Sequence, residues 1–384
     1  MTRIDRYIAW LFLRTVVICF VSLSGIVIVF HAFTSMDDLV RRGQAEGGLV
    51  PAMARYYGRY LLLIFDWTGT IIAVMSVLFT AGWLRRTGEL TAALSTGVSH
   101  GRVFRPMLAV AVGVIGLQLA CREVWLPQYR DTLSTRAKTK PDEPQPVLAQ
   151  YDKVHRVLID AESLTVEGSS LIRPAFRIDG DFAGFGDLLI ADAANHLGPG
   201  EGFEDRFSPS SPGYLLRGVS RPRGVASLPS ARHAGSPILL TARDTPGLRA
   251  NECFVVSGVG FDAIQTNELT TKLASVRELV RRVSNPAVHC DVDTRIMLHA
   301  RIVRAVLDMG LVCLVLPLAA ASDRKVLVAS GSALGIVIGF FALKMVATFL
   351  GGGQIGLPPA WAGWLPLLIV GPIGYARWRM VAEV

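Results

Sequence analysis

Residues 85–102 read RRTGELTAALSTGVSHGR, a short polar stretch that separates two apolar runs. The apolar run before it covers residues 60–84, and the run after it covers residues 107–120. Four arginines flank the polar stretch: Arg85, Arg86, Arg102 and Arg105. Because basic residues accumulate on the cytoplasmic side of membrane spans, the pattern predicts a cytoplasmic connection between two transmembrane helices.

The polar stretch also carries the signals of a short helix, predicted over residues 87–97. Thr87 is a candidate N-cap, Glu89 places a carboxylate in the first turn, and Gly97 is suited to end the helix. Three side chains share one face at helical spacing: Leu90, Ala93 and Leu94. This apolar face needs a surface to pack on, and the sequence leaves two open, the inner membrane surface and a cytoplasmic partner protein.

The composition is typical of an integral membrane protein. Of the 384 residues, 51% are hydrophobic and 18% are charged, whereas a globular domain carries about 25% charged residues. The formal net charge is +8, which in a membrane protein serves cytoplasmic flanks and contacts with anionic membrane lipid. Nucleic acid is therefore not an expected partner.

The apolar runs predict six transmembrane helices, three on each side of a long polar region. The predicted spans cover residues 15–33, 60–84, 103–126, 302–321, 326–350 and 361–375. Arginines near both chain ends place both termini in the cytoplasm. The predicted fold is thus an α-helical membrane protein in a three-plus-three arrangement, with membrane domains at residues 1–126 and 287–384. In the fifth span, the stripe of Gly331, Gly335 and Gly339 favours close helix packing, more within the chain than with another subunit.

Residues 127–286 predict an inserted all-β domain. Their apolar runs are short and are separated by Gly, Pro, Asp and Ser, as expected for strands between turns. A region of this size and pattern favours a sandwich or an open barrel, and the alternation of the spans puts it on the periplasmic side. Cys253 and Cys290 are candidates for a disulfide there, although five cysteines without a regular spacing leave the pairing open.

Motifs of catalysis and of metal binding are missing from the sequence. It contains no GxxxxGK[ST], no HExxH and no GxSxG, and its seven histidines form no ligand cluster. We therefore expect neither an enzyme nor a cofactor or metal site.

Ionisable residues within the predicted spans are the remaining candidates for function. Lys344 lies inside the fifth span, where it either contacts the phosphate of a lipid substrate or extends to the outer interface. Asp66, in the second span, is a candidate partner for Lys344. His31 lies near the outer end of the first span.

Four arginines on the predicted outer side run against the usual charge bias: Arg41, Arg42, Arg55 and Arg59. Two readings are open. The arginines form a mouth that collects an anionic headgroup, since guanidinium binds phosphate in a bidentate manner, or they are ordinary interfacial residues.

Several short stretches, taken in order, resemble the LptF/LptG permeases of the lipopolysaccharide exporter. They are IDRYI at 4–8, VSLSGI at 21–26, GEL at 88–90, STGV at 95–98, EVWLPQ at 123–128, LPP at 357–359 and WLP at 364–366. The three-plus-three plan with a central β domain adds to the resemblance, which covers nearly the whole chain.

The resemblance implies a transmembrane permease subunit of an ABC-type exporter in the inner membrane. Such a subunit pairs with a sister permease, recruits a cytoplasmic ABC ATPase dimer, and extracts lipopolysaccharide or a related glycolipid. It then passes the lipid to a periplasmic jellyroll bridge protein, and its own β domain resembles a jellyroll. The short helix becomes the coupling helix, with Glu89, Leu90, Leu94 and Gly97 at the ATPase contact, while ATP hydrolysis takes place in the partner.

One departure from the family leaves the lipid and the paralogue open. Relatives often carry a lysine in the outer half of helix 1, whereas residues 26–31 here read IVIVFH. His31 or Lys344 is the candidate substitute. Two alternatives stay open, namely a permease of another lipid or lipoprotein exporter and a membrane anchor that presents a periplasmic β domain without transporting anything.

Overall fold

The fold is described by a computed structural model for residues 3–45, 47–134, 144–165, 169–179, 185–204, 206–233, 236–264, 268–288, 290–320, 326–352 and 357–382. Contacts divide the chain into two compact units. The helical unit comprises Met1–Leu133, Leu273–Leu279 and Val292–Val384, and the β unit comprises Ser134–Lys272 and Val280–Asp291. The predicted domain boundaries at 126/127 and 286/287 stay predictions.

The helices of the chain follow the apolar runs but extend beyond them. They are α1 (Arg3–Thr34), α2 (Met36–Ala45), α3 (Leu49–Arg86), α4 (Glu89–Ser95), α5 (His100–Ala120), α6 (Leu126–Ser134), α7 (Phe261–Ile264), α8 (Glu268–Leu273), α9 (Val276–Ser284), α10 (Val292–Ala320), α11 (Val326–Gly352) and α12 (Pro359–Ala382). The polar connection expected over residues 34–59 is largely helical, because α2 is amphipathic and buries Leu39.

Among the described residues, five helices are long and apolar enough to cross a membrane: Arg3–Thr34, Leu49–Arg86, His100–Tyr129, Val292–Ala320 and Ser330–Gly352. The sixth predicted span corresponds to α12, which forms a helix of 24 residues. This helix is not among the five candidates, and it contains two internal prolines, Pro366 and Pro372. A helical membrane protein with a β domain is therefore shown, whereas the count of six spans stays a prediction.

Glycines of the fifth span face open space. A Cβ atom added at Gly331, Gly335 or Gly339 would meet no described atom within 4 Å. The expected packing of this stripe within the chain is therefore wrong for the described residues, since α11 presents the stripe on an uncovered face.

A π-helical segment, Cys121–Trp125, joins α5 to α6. The Leu126 amide donates to the Cys121 carbonyl, five residues back. Pro127 is the next residue. In a regular α-helix its ring would clash with the carbonyl four residues earlier, and it has no N–H to donate. The wider turn accommodates the proline and sets the directions of Arg122 and Glu123, which matters for the site below.

The described residues of the β unit form one antiparallel sheet of nine strands. The strands are β1 (Gln150–Asp152), β2 (Val157–Thr165), β3 (Ser170–Ile178), β4 (Leu188–Ile190), β5 (Ala193–Leu197), β6 (Gly213–Arg217), β7 (Ala231–His233), β8 (Ser236–Thr241) and β9 (Glu252–Val256). Their order is β1-β2-β3-β5-β6-β9-β8-β7, with β4 beside β3. The order leaves β1 and β7 as the ends of the path, and it does not establish a jellyroll.

Alternation along the central strands buries both faces of the sheet. Tyr214, Leu216 and Val255 point into the larger core, and Leu215 and Phe254 point into a second core on the opposite face. This period of two is the pattern expected of a strand.

The disulfide considered for Cys253 and Cys290 is absent, because both thiols are free. Cys253 lies on β9 among the larger core's side chains. Burial raises the pKa of its thiol to about 12, so the group is a small apolar side chain rather than a reactive thiolate.

Asp152 fastens the end of β1 to the end of β9. Its buried carboxylate accepts hydrogen bonds from the Val154 and His155 amides, the His155 Nδ1, the Ser257 hydroxyl and the Gly258 amide, at 2.7–3.0 Å. Burial by itself would raise the pKa of Asp152, but these hydrogen bonds outweigh it and hold the pKa below its ordinary value.

Replacing Asp152 with alanine is expected to destabilise the β unit by about 3 kcal/mol, because several buried donors lose their acceptor. Since the folded-state pKa is depressed, the carboxylate's contribution is present above its unfolded pKa and is lost as the pH falls through the folded value. Thermal unfolding of the full chain in detergent, followed from neutral pH down to about pH 3, measures both effects. Asp160→Ala, on the exposed face of β2, is the control, and equal curves for the two variants would contradict the assignment.

Candidate functional site

The short helix α4 is separated from α3 by a sharp turn. Gly88 adopts a φ of +75° before the helix, and Gly97 adopts a φ of +83° after it. Both values lie in the left-handed region that favours glycine, which confirms Gly97 as the residue that follows the helix end. The prediction that Thr87 caps α4 is wrong. Its hydroxyl donates to the Trp83 carbonyl at 3.0 Å, because α3 continues past the apolar run to Arg86.

The apolar face of α4 packs on the chain's own helices. Leu90 is 4% exposed and belongs to the helical core, with Ala93 and Leu94 packed against it. From the sequence, the expected docking surfaces for this face were the inner membrane surface and a partner protein. In the structure, the face packs instead on other helices of the same chain. The side chains left outward on α4 are Thr91, Ala92 and Ser95.

Glu89, at the first turn of α4, is half-buried and contacts α1. The Tyr7 hydroxyl donates to Glu89 Oε1 at 3.2 Å. The carboxylate is thereby held between α1 and α4, at the edge of the polar stretch that connects α3 to α5.

A cluster of buried charges lies farther along the same helices, centred on Asp66. Asp66 is 1% exposed near the middle of α3. Arg122, on the π-helical segment, donates to Oδ2 at 2.7 Å, and Arg304, on α10, donates to Oδ1 at 2.9 Å. The Asp66 carbonyl accepts a further hydrogen bond from Gln118 of α5, at 2.6 Å. One residue of α3 therefore joins three other segments of the helical unit.

Asp308 completes this charge cluster, which we define as Asp66, Arg122, Arg304 and Asp308. It is 2% exposed, lies 3.6 Å from the Arg304 guanidinium, and accepts a hydrogen bond from the Thr70 hydroxyl at 2.9 Å. Two carboxylates balance two guanidinium groups. A charge in a membrane span costs about 2.5–3.5 kcal/mol when uncompensated, and this arrangement compensates all four.

Lys344 lies outside this balance. The predicted pairing of Lys344 with Asp66 is wrong, because both Asp66 oxygens are taken by arginines. Lys344 instead places its ammonium group 5.5 Å from the Phe340 ring centroid and 5.7 Å from that of Phe341. Within the described part of the chain Lys344 makes no ion pair, so it is a cation in excess of the cluster.

A pocket opens between α5 and α10 beside the cluster. Its lining combines apolar and charged side chains: Ile115, Gln118, Leu119, Arg122, Glu123, Arg301, Arg304, Ala305 and Asp308. Arg122 directs Nη1 to the Asp66 carboxylate, and Arg304 directs Nη1 to that carboxylate and Nη2 to the Asp66 carbonyl. The pocket is therefore a seam of the helix packing with charged walls.

His31 belongs to an aromatic group at the junction of α1 and α3. Its Nδ1 lies 3.1 Å from the Tyr57 hydroxyl, and its ring packs against those of Tyr56 and Tyr60. These tyrosines follow one another on the first turns of α3, so the group fits a membrane–water interface.

The outer arginines are dispersed rather than gathered. Arg59 lies over the Tyr129 ring at 5.5 Å, and Arg55 donates to the Pro51 carbonyl within α3. Arg41 is exposed on α2, and the side chain of Arg42, also on α2, lies outside the described residues. Among the described side chains, the structure brings none of Arg41, Arg55 and Arg59 into contact with Lys344.

Arg122, Arg304 and Asp308 are the site residues that sequence reasoning missed. Arg304 and Asp308 lie one turn apart inside the predicted fourth span, so their (i, i+4) spacing was a usable signal. Arg122 lies near the end of the predicted third span, where the local sequence carries no sign of its pairing with Asp66.

Comparison with protein families gives a match over part of the chain. A family model described as "Lipopolysaccharide export system permease LptF/LptG" matches residues 6–166, which is less than half of the chain. The matched region runs from Arg6, in α1, to just past the end of β2, and it includes Glu89, Asp66 and Arg122. No curated protein matches the chain.

Proposed function

Because this match supports membership of the LptF/LptG permease family, we propose that the chain is a transmembrane permease subunit of an ABC-type exporter for lipopolysaccharide or a related glycolipid. The family match is the observation that carries the proposal. It covers the pair of long helices, α3 and α5, together with the short helix α4 that connects them. A permease of this family is a transport subunit, and ATP hydrolysis belongs to a partner.

The proposed ATPase contact is α4. A cytoplasmic ABC ATPase dimer engages this helix, with Glu89 and Gly97 at the contact. Leu90 and Leu94, which pack on the helical core, anchor the helix in place for this coupling. Burial of Leu90 supports this role, because a helix of seven residues transmits force only if its other face is fixed. The proposal places α4 and both termini in the cytoplasm and the β unit in the periplasm.

A sister permease of the same family is the proposed membrane partner. The helices α1 and α11 support it, since only 11% and 17% of their most apolar windows are buried within the chain. The uncovered stripe of Gly331, Gly335 and Gly339 would let another helix approach α11 closely. A periplasmic jellyroll bridge protein is the proposed acceptor of the lipid, with an end of the sheet, β1 or β7, as the surface for strand pairing.

Lys344 is the proposed contact for the lipid phosphate, because it is the cation that the charge cluster leaves unbalanced. His31, Arg41, Arg42, Arg55 and Arg59 are proposed to line the outer approach to it. Lipopolysaccharide carries several anionic groups, so a series of dispersed cations suits it better than one closed pocket.

Lys344→Gln is expected to lower the amount of lipopolysaccharide that the purified complex retains by about 10-fold, the loss of one charge-assisted contact. Thermal stability should stay near that of the wild type, because the cluster keeps its balance. Lys153→Gln, at an exposed position in the β unit, is the matched control. Unchanged lipid retention in Lys344→Gln would remove Lys344 from the proposed site.

Reconstitution tests the proposed function. The full chain is placed in proteoliposomes with its sister permease and ATPase, and lipopolysaccharide that reaches a soluble periplasmic bridge protein is measured. We expect ATP-dependent delivery that vanishes when the chain is omitted. Delivery that does not depend on this chain would contradict the proposal.

A further inference from the structure

A seven-residue segment, Leu273–Leu279, is held by the helical unit although the β unit continues on both sides of it. The chain belongs to the β unit up to Lys272 and again from Val280, yet the contacts of Leu273–Leu279 are with the membrane helices. We call these seven residues the return segment. What fastens the return segment is visible in three contacts.

The first contact is apolar. Leu273 is 1% exposed and packs with Leu63 of α3 and with Cys121 and Leu126, the residues at the two ends of the π-helical turn. Burying a leucine side chain in this way stabilises the segment by roughly 1.5–3 kcal/mol. Apolar packing is not directional, so it does not fix the orientation of the segment.

The second contact is directional and comes from the π-helical segment. Glu123 Oε2 accepts a hydrogen bond of 2.6 Å from the Val276 amide, at the first turn of α9. The helix already has a capping box, because Ser275 Oγ accepts from the Glu278 amide and Glu278 Oε2 accepts from the Ser275 amide. The hydrogen bond from Glu123 is therefore not needed to cap α9, and it attaches α9 to the π-helical segment instead.

The third contact comes from α10. Arg301 is 8% exposed and donates through Nη1 to the Ala274 carbonyl. Burying a guanidinium in a membrane helix costs free energy unless its donors find acceptors. The Ala274 carbonyl is one such acceptor, so this hydrogen bond ties the return segment to α10.

These fastening residues adjoin the charge cluster on both elements. Glu123 directly follows Arg122, and Arg301 lies one turn before Arg304. Arg122 and Arg304 both pair with Asp66. The π-helical segment and α10 therefore each contact the charge cluster through one residue and the return segment through a nearby residue. Arg122 and Glu123 are consecutive residues of the π-helical segment, and consecutive side chains of a helix point in different directions, so the two reach different partners.

We propose that Glu123 and Arg301 are positioning residues that fasten the return segment to the two elements carrying the charge cluster, so that a shift of these elements moves the chain that enters and leaves the β unit. This inference rests on the proposed function for its consequence, which is the coupling of helix movement to lipid delivery. The fastening itself does not depend on the substrate.

The experiment compares Glu123→Ala with Glu123→Gln in the purified complex with sister permease and ATPase. Glutamine keeps an oxygen that accepts from the Val276 amide, and alanine removes it. Two quantities are measured, namely hydrogen exchange of the amides at residues 276–279 and lipopolysaccharide delivered per ATP hydrolysed. We expect faster exchange in Glu123→Ala and a ratio of delivery to hydrolysis that falls by about 3- to 30-fold, the range found for coupling residues, while Glu123→Gln stays close to the wild type.

Wild-type exchange at residues 276–279 in Glu123→Ala would overturn the fastening, and a wild-type ratio of delivery to hydrolysis would overturn the coupling. A parallel loss of hydrolysis and delivery at lowered thermal stability would indicate a merely structural role and would also overturn it. If the wild-type complex itself delivers no lipopolysaccharide, the proposed function fails while the exchange arm still decides the fastening. Arg301→Met, which removes the third contact and keeps Glu123, provides the same readouts should Glu123→Ala fail to assemble.

Discussion

Asp66→Leu is expected to destabilise the helical unit by about 3–5 kcal/mol, the usual cost of leaving a buried ion pair without one partner. Asp66 is the shared counter-ion of Arg122 and Arg304, which come from different elements and lie at 2.7 and 2.9 Å from it. Without the carboxylate, Arg304 keeps its ion pair with Asp308, whereas Arg122 loses its ion pair with Asp66. Thermal unfolding in lipid nanodiscs measures the loss, and Asp37→Leu, on the exposed side of α2, is the control.

A second variant separates charge balance from packing. Asp66→Leu combined with Arg122→Leu removes one charge of each sign, so it should recover part of the stability that Asp66→Leu alone loses. If the double variant is less stable than the sum of both single variants predicts, the cluster is not held together by charge compensation.

Glu89→Arg is expected to abolish transport while leaving expression and membrane insertion intact. The substitution puts a cation at the N-terminal turn of α4, where the helix dipole favours an anion, and it removes the acceptor of the Tyr7 hydroxyl. Both changes fall on the helix that we propose to contact the ATPase. Delivery of lipopolysaccharide in the reconstituted system measures the effect, with Glu162→Arg on exposed β2 as the charge-matched control.

Tyr7→Phe shows whether the effect of Glu89→Arg arises within the chain. It removes the hydrogen bond to Glu89 and keeps the charge, so we expect delivery to persist. Loss of delivery in Tyr7→Phe equal to that in Glu89→Arg would assign Glu89 to the packing of α1 on α4. Normal transport in Glu89→Arg would remove α4 from the ATPase contact.

Local patterns made most of the helical unit predictable. Apolar runs locate five of the long helices because the requirement to bury or immerse some twenty apolar residues acts on each run separately. The short helix α4 was predictable as well, because Glu89 marks its first turn and Gly97 marks its end only a few residues later. Its N-terminus was misplaced because α3 continues past its last apolar residue and takes Thr87 for its own end.

Partners within the charge cluster were not predictable to the same degree. The pairing of Asp66 depends on which helices pack beside α3, and no pattern within α3 encodes that. Lys344 was a reasonable partner for Asp66 judged only by the depth of both residues in the membrane. The packing of α5 and α10 beside α3 instead pairs Asp66 with Arg122 and Arg304. The π-helical turn is also a matter of context, because Pro127 forces a distortion but the neighbours of Arg122 and Glu123 decide its form.

The central claim, a permease subunit of a lipopolysaccharide exporter, is tested most directly by isolating the tagged chain from its native membrane. Mass spectrometry then identifies the proteins and lipids that accompany it in mild detergent. The account predicts a P-loop ATPase, a second permease of the same family and bound lipopolysaccharide. Recovery of the chain without any ATPase, under conditions that keep known exporters assembled, would contradict it.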